Sequence, residues 1–132
     1  MDEKLFKERT KQLALRIIQL IEALPKNQTA RVIGGQLLRS ATSIGANYRA
    51  ACRGKSTADV IAKLRIVEEE ADESVYWMEL LVESGLVPSA QMSELLQETD
   101  EIIAMTVASI RTLQRRDGSS QFNRKSKIQN LK

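Results

Sequence analysis

The chain has 132 residues, 42% of them hydrophobic and 28% charged, a balance that fits one soluble globular domain and excludes an intrinsically disordered chain. It contains no histidine, so the usual general base, the usual zinc ligand and the Glu-x-x-His element of di-iron bundles are all missing. The single cysteine, Cys52, cannot close an internal disulfide, and the net charge is +3. Two prolines and six glycines favour long helices over a turn-rich sandwich. The N-terminal "MDEKLFKERTKQ" lacks an apolar signal core, and no apolar run nears the roughly 20 residues of a membrane span. A cytoplasmic, all-α protein is expected.

Phe6, Thr10, Leu13, Ile17, Ile21 and Leu24 recur at three and four, drawing one apolar stripe along a first helix that Pro25 ends. Ala30, Ile33, Leu37, Ala41, Ile44, Tyr48 and Ala51 continue the same rhythm in a second helix, with Gly54 placed as its C′ residue. Ser56 and Asp59 have capping-box spacing before a third helix, which turns Val60, Leu64, Val67, Ala71, Val75, Met78 and Val82 inward and closes at Gly85. Ser89 is positioned to cap a fourth, with Met92, Leu95, Thr99, Ile102, Thr106, Ile110 and Leu113 facing in and Asp117 and Gly118 as its stop. Short connections make the helices antiparallel, so the expected architecture is an up-down-up-down four-helix bundle over residues 1–116. Residues 117–132 then read as a flexible basic C-terminal tail.

In this topology the N-terminus, the turn around Gly54 and the C-terminus share one end. Residues 1–11, 49–65 and 111–132 carry +1, +4 and +6, so this pole totals +11 and the remainder −8. Folding about Gly54 pairs position n with roughly 109 − n, which sets Arg39 near Glu69 and Glu70, and Arg31 near Glu79, as ordinary interhelical ion pairs. Arg49, Arg53, Lys55, Lys63 and Arg65 have only Asp59 nearby. Arg115, Arg116, Arg124, Lys125 and Lys127 extend from the same pole, and together these residues form a candidate surface for the backbone of RNA or DNA. Five aromatic residues in the chain leave little for base stacking, so recognition of backbone or shape is expected, without sequence readout.

The segment "SATSIGANYRAACRGKS" gives up helix propensity where the charge begins, its small residues suiting close helix approach. Gly35, Thr42 and Ala46 form a thin face. Ser43 and Asn47, four apart, either bond to the preceding turn of backbone or make a buried polar contact that fixes register between helices or subunits. "SVYWMELLV" is apolar nearly all round, and with Val75, Met78 and Val82 assigned to the core, Tyr76, Trp77 and Leu80 are left for an interface between copies. A homo-oligomer is expected.

Residues 5 to 115, and above all Ser43-Ile44-x-Ala46-Asn47, the Arg49/Arg53 region with Ser56, and Glu69 to Glu73 ahead of Tyr76-Trp77, resemble a bacterial family. It is the four-helix-bundle family first noticed as proteins encoded in 23S rRNA intervening sequences. Many members have proline where this chain has Gly45. The resemblance implies a ring-like homopentamer with a nonenzymatic role and no cofactor. It also implies a relative, the accessory protein of diversity-generating retroelements, a basic pentamer that binds nucleic acid and a reverse transcriptase.

Two alternatives stand beside this reading. Glu70-x-x-Glu73 and Glu98-x-x-Glu101 have the i, i+3 spacing that can hold Mg²⁺ against a nucleotide phosphate, as in all-α pyrophosphohydrolases. A pure protein-interaction scaffold would use the Tyr76/Trp77 surface without nucleic acid.

Overall fold

The computed structural model describes the backbone of residues 2–130 and the side chains of residues 2–118. It is built of α1 (Glu3–Glu22), α2 (Gln28–Ala51), α3 (Thr57–Glu83) and α4 (Ser89–Asn130), and no strand occurs among the described residues. Sequential helices pack side by side, most extensively α2 on α3, and a thin α1–α4 seam closes the four-helix bundle.

Local chemistry sets the helix ends. The Asp2 side chain accepts from the Leu5 backbone N–H at 3.1 Å, and Asn27 accepts from that of Ala30 at 2.8 Å, satisfying amides that the first turn leaves unpaired. At α3 the Ser56 hydroxyl accepts from the Asp59 amide at 3.1 Å while the Asp59 carboxylate accepts from the Lys55 amide at 3.2 Å. This is a capping box displaced by one residue. Gly85, with φ 81°, ends α3 as expected: its amide donates to Val82 O and that of Leu86 to Leu81 O, both at 3.0 Å, the Schellman pattern.

Three boundaries differ from the sequence expectation. α2 ends at Ala51, and Gly54 is not in the left-handed region. It is small for want of space, since a Cβ there would lie 2.5 Å from Val60 Cγ2 and 3.1 Å from Ala51 O. Ser89 is the first helical residue of α4, not its cap. α4 also runs through Asp117 and Gly118 to Asn130, because one glycine costs a helix about 1 kcal/mol against alanine and no proline follows to force a stop. The flexible tail expected over 117–132 rests mainly on residues whose side chains lie outside the described set.

The core follows the apolar rows of α1, α2 and α4, with Phe6, Leu13, Ile17, Leu37, Ile44, Met92 and Ile102 fully buried. In α3 the buried row passes through Ser74 and Leu81, whereas Val75 and Val82 are only partly covered. Ser74 faces Ser40 of α2, their hydroxyl oxygens 2.8 Å apart, with Glu70 O and Leu37 O as backbone acceptors at 2.8 and 3.3 Å. Two small side chains that meet each other's hydrogen-bonding needs let these helices approach, and no buried side-chain polar atom of the described residues lacks a partner.

Glycines on α2 receive α1. A Cβ on Gly45 would stand 3.1 Å from Thr10 Oγ1, and one on Gly34 would stand 2.9 Å from Leu24 Cδ1. Across the other seam, Arg9 Nε donates to Glu98 at 2.8 Å and Arg16 reaches Glu94 at 3.2 Å. Ion pairs thus reinforce the thinnest seam.

The shifted register of α3 is open to measurement. Leu81→Ala should lower the unfolding free energy by about 2–5 kcal/mol in urea titration, and Val82→Ala by about 1 kcal/mol or less. Equal losses would contradict the assignment of Leu81 to the core.

Candidate nucleic-acid interface

The antiparallel order gathers four elements at one end. A cavity of about 650 Å³ there is lined by Glu3 of α1, Tyr48 and Cys52 of α2, Val60 and Leu64 of α3, and Met105 and Arg116 of α4. Its chemistry is quiet. Burial pushes the Cys52 thiol up, and burial, with Cys52 beside it, raises the Tyr48 phenol above its ordinary range. Tyr48 packs edge-on against Phe6 with ring centroids 4.4 Å apart. The Glu3 carboxyl is held below its usual value by Lys7, 2.9 Å away.

Around this end the expected cations separate into groups. Arg49 closes α2, Arg53 and Lys55 stand exposed in the α2–α3 turn, and none of the three has an ion pair among the described residues. Arg116 borders the end cavity, while Arg111 and Arg115 share another exposed face of α4, where Arg115 Nε donates to Arg111 O at 3.4 Å. Lys63 is half-buried on α3. Arg65 lines a separate groove with Glu68, Glu69, Asp72 and Ile103. The side chains of Arg124, Lys125 and Lys127 fall outside the described residues.

Sequence reasoning missed Lys4, Lys7 and Lys11. With Arg49 they line a groove of about 440 Å³ between α1 and α2, floored by Thr10, Ala14, Thr42, Gly45 and Ala46, with Glu8 as its acidic member. Their spacing of three and four was the available signal. Counting them only within a segment of net +1 concealed that they share a face.

Some charges along the bundle are drawn into pairs. Arg39 bridges Glu70, at 3.2 Å, and Glu73; the expected partner Glu69 is not engaged, nor do Arg31 and Glu79 meet. Glu98 and Glu101 both face Arg9. The two glutamate pairs considered as a magnesium site thus turn to arginines on different helices, α2 and α1, and among the described residues no group of three or more acidic or cysteine side chains is placed to hold a metal.

Of the residues expected at an interface between copies, Ser43 donates to Arg39 O at 2.7 Å and Asn47 to Ser43 O at 2.9 Å, the local backbone option. Tyr76 is 54% exposed, and its ring lies edge-on to Trp77, centroids 5.1 Å apart. Trp77 and Leu80 are half-buried, with Trp77 packed on the core and its Nε1 donating to Glu73 at 3.2 Å. No described helix is long and apolar enough to cross a membrane.

The fold is that of a four-helix bundle, and the candidate surface is the end where Arg49, Arg53 and Lys55 stand without an ion pair among the described residues. A family model described as 23S rRNA-intervening sequence protein matches residues 4–108, and the chain belongs to that family. It is also similar to a solved structure, described as a protein with unknown function from the S23 ribosomal protein family of Bacteroides thetaiotaomicron VPI-5482. Identity is 36%, with a TM-score of 0.78, over 84% of this chain and 99% of that one. No curated protein matches the chain.

The Arg39 network predicts a spectroscopic pH response. Hydrogen bonds from Arg39 and then from Trp77 hold the Glu73 carboxyl below its usual value, so their contribution is intact above the unfolded-state range and is lost as pH falls through the depressed folded value. Trp77, the single tryptophan, should show an acid fluorescence transition below the ordinary glutamate range, and Arg39→Gln should move that transition upward. An unmoved transition would refute the assignment.

Proposed function

We propose that this chain is a non-enzymatic, homo-oligomeric bundle protein, assembled as a pentamer, that binds the phosphate backbone of RNA or DNA through its basic pole. The carrying observation is the clustering of unpaired cations at the tip: Arg49, Arg53 and Lys55 lie within seven residues without a carboxylate partner among the described residues, whereas Arg9, Arg16 and Arg39 along the bundle are paired and the opposite end offers Lys26 and Arg31. Like charges held together at a solvent-facing end are stabilised by an anionic partner. Repetition around a symmetry axis would multiply a modest patch, and the exposed Tyr76 ring beside Trp77 offers surface for the contact between copies.

Family membership supports an RNA context, and the resemblance to the accessory protein of diversity-generating retroelements supports a place beside an RNA- or reverse-transcriptase-containing complex. The exposed aromatic face is also what a protein-interaction scaffold would use. Copurification that survives nuclease treatment unchanged would favour that scaffold.

Native mass spectrometry should give a species of five times the 14.8 kDa chain mass. A structured RNA or a DNA duplex should bind at low salt and release as salt rises, the logarithm of affinity falling linearly with that of salt. A monomer at micromolar concentration would overturn the assembly, and binding that is absent at low salt, or indifferent to salt, would overturn the nucleic-acid reading.

A further inference from the structure

We propose that the groove between α1 and α2 is the track along which a nucleic-acid strand leaves the pole, its phosphates held by Lys4, Lys7, Lys11 and Arg49; this rests on the nucleic-acid reading of the pole. Lys4, Lys7 and Lys11 succeed one another every three or four residues, roughly 5 Å apart along the axis, so they form a ladder beside the groove. Arg49 faces them from α2 and links the groove to Arg53 and Lys55 in the following turn.

Two carboxylates, Glu3 and Glu8, compete for these cations. Lys4, Lys11 and Arg49 have no ion pair among the described residues, and the Lys7 bridge to Glu3 is an exposed i, i+4 pair of small worth. Glu8, the acidic member of the groove, accepts from Gln12 at 2.9 Å. The opposite flank repels a polyanion: residues 66–110, in α3 and α4, contain eleven acidic residues and no basic one. A strand engaged at the tip therefore has one favourable exit, over α1 and α2.

The floor fixes the class of ligand. Thr42, Gly45 and Ala46 are small enough for a backbone to come close. Thr10 and Thr42 already donate to Lys7 O and Leu38 O, and the walls are helices whose amides are internally bonded, so a peptide main chain finds no partners there. No aromatic ring lines the groove, which makes its grip indifferent to base identity.

The test measures affinity for a labelled single-stranded RNA of mixed sequence across a salt series. Lys4→Gln/Lys7→Gln/Lys11→Gln should flatten the slope of log affinity against log salt by about 2 to 3 and weaken binding roughly 10²-fold near ~0.1 M salt. Ala46→Glu, at an exposed floor position, should weaken binding in the same direction, and Ala46→Gln should do so far less. Arg53→Gln/Lys55→Gln reports on the pole. Circular dichroism melts of all variants confirm folding, and Ala46→Glu carries the test if the triple variant does not fold. Loss of binding in the pole variant with full binding and unchanged slope in the groove variants overturns the track alone. Failure of the wild-type protein to bind this RNA overturns the track, and failure to bind structured RNA and duplex DNA as well overturns both readings. Polyglutamate of equal length binding as tightly as the RNA overturns the assignment to a nucleic-acid backbone.

Discussion

Three connections of five residues each oblige successive helices to reverse direction. From that constraint comes the meeting of the α1 N-terminus, the α2–α3 turn and the later part of α4 at one end, which neither composition nor any single motif requires. Charges scattered through the chain become a pole only because the chain folds back on itself at these lengths. The constraint also places the acidic stretches of α3 and α4 along the flank, away from the tip, so the electrostatic asymmetry is a product of topology.

Within this frame, arginine separates into two physical roles. On the flanks it closes seams: Arg9 and Arg16 join α1 to α4, where apolar packing is thinnest, and Arg39 joins α2 to α3 on their outer edge. These pairs are partly solvated and contribute modestly to stability, but each occupies carboxylates that would otherwise stand as clustered negative charge. At the tip there is no acidic helix opposite, and the cations stay available. The same residue type serves cohesion where a partner helix lies alongside and stays free of ion pairs where none does.

Periodicity revealed most of the fold because bundle helices bury one stripe each, and Phe6 to Ile17 and Met92 to Ile110 follow that stripe without interruption. It misled in α3, where valines at 75 and 82 outscore a serine at 74 on any hydrophobicity argument. What decides the register there is a hydroxyl partner on another helix, Ser40, which is invisible to a local pattern. The end of α4 was misplaced for a related reason: Asp117-Gly118 is a common stop, yet nothing in the local chemistry compels one. For the candidate site, the tip was readable from net charge per segment, whereas the lysine ladder was not. Glu3 and Glu8 cancel it in a sum although Glu3 is not among the residues lining the α1–α2 groove. Arg65, grouped with the tip by sequence proximity, lines a groove with Glu68, Glu69 and Asp72.

The two glycine seats on α2 have a mechanical consequence. Gly34 and Gly45 are three helical turns apart and receive Leu24, just after α1, and Thr10 so closely that a Cβ would oblige each of those side chains to shift. A sliding of α1 by one turn would bring these side chains against positions that carry a Cβ. α1 is thereby indexed on α2 like a rule held by two pins, and the phase between its ammonium groups and the guanidinium across from them is set by steric notches with no charge of their own.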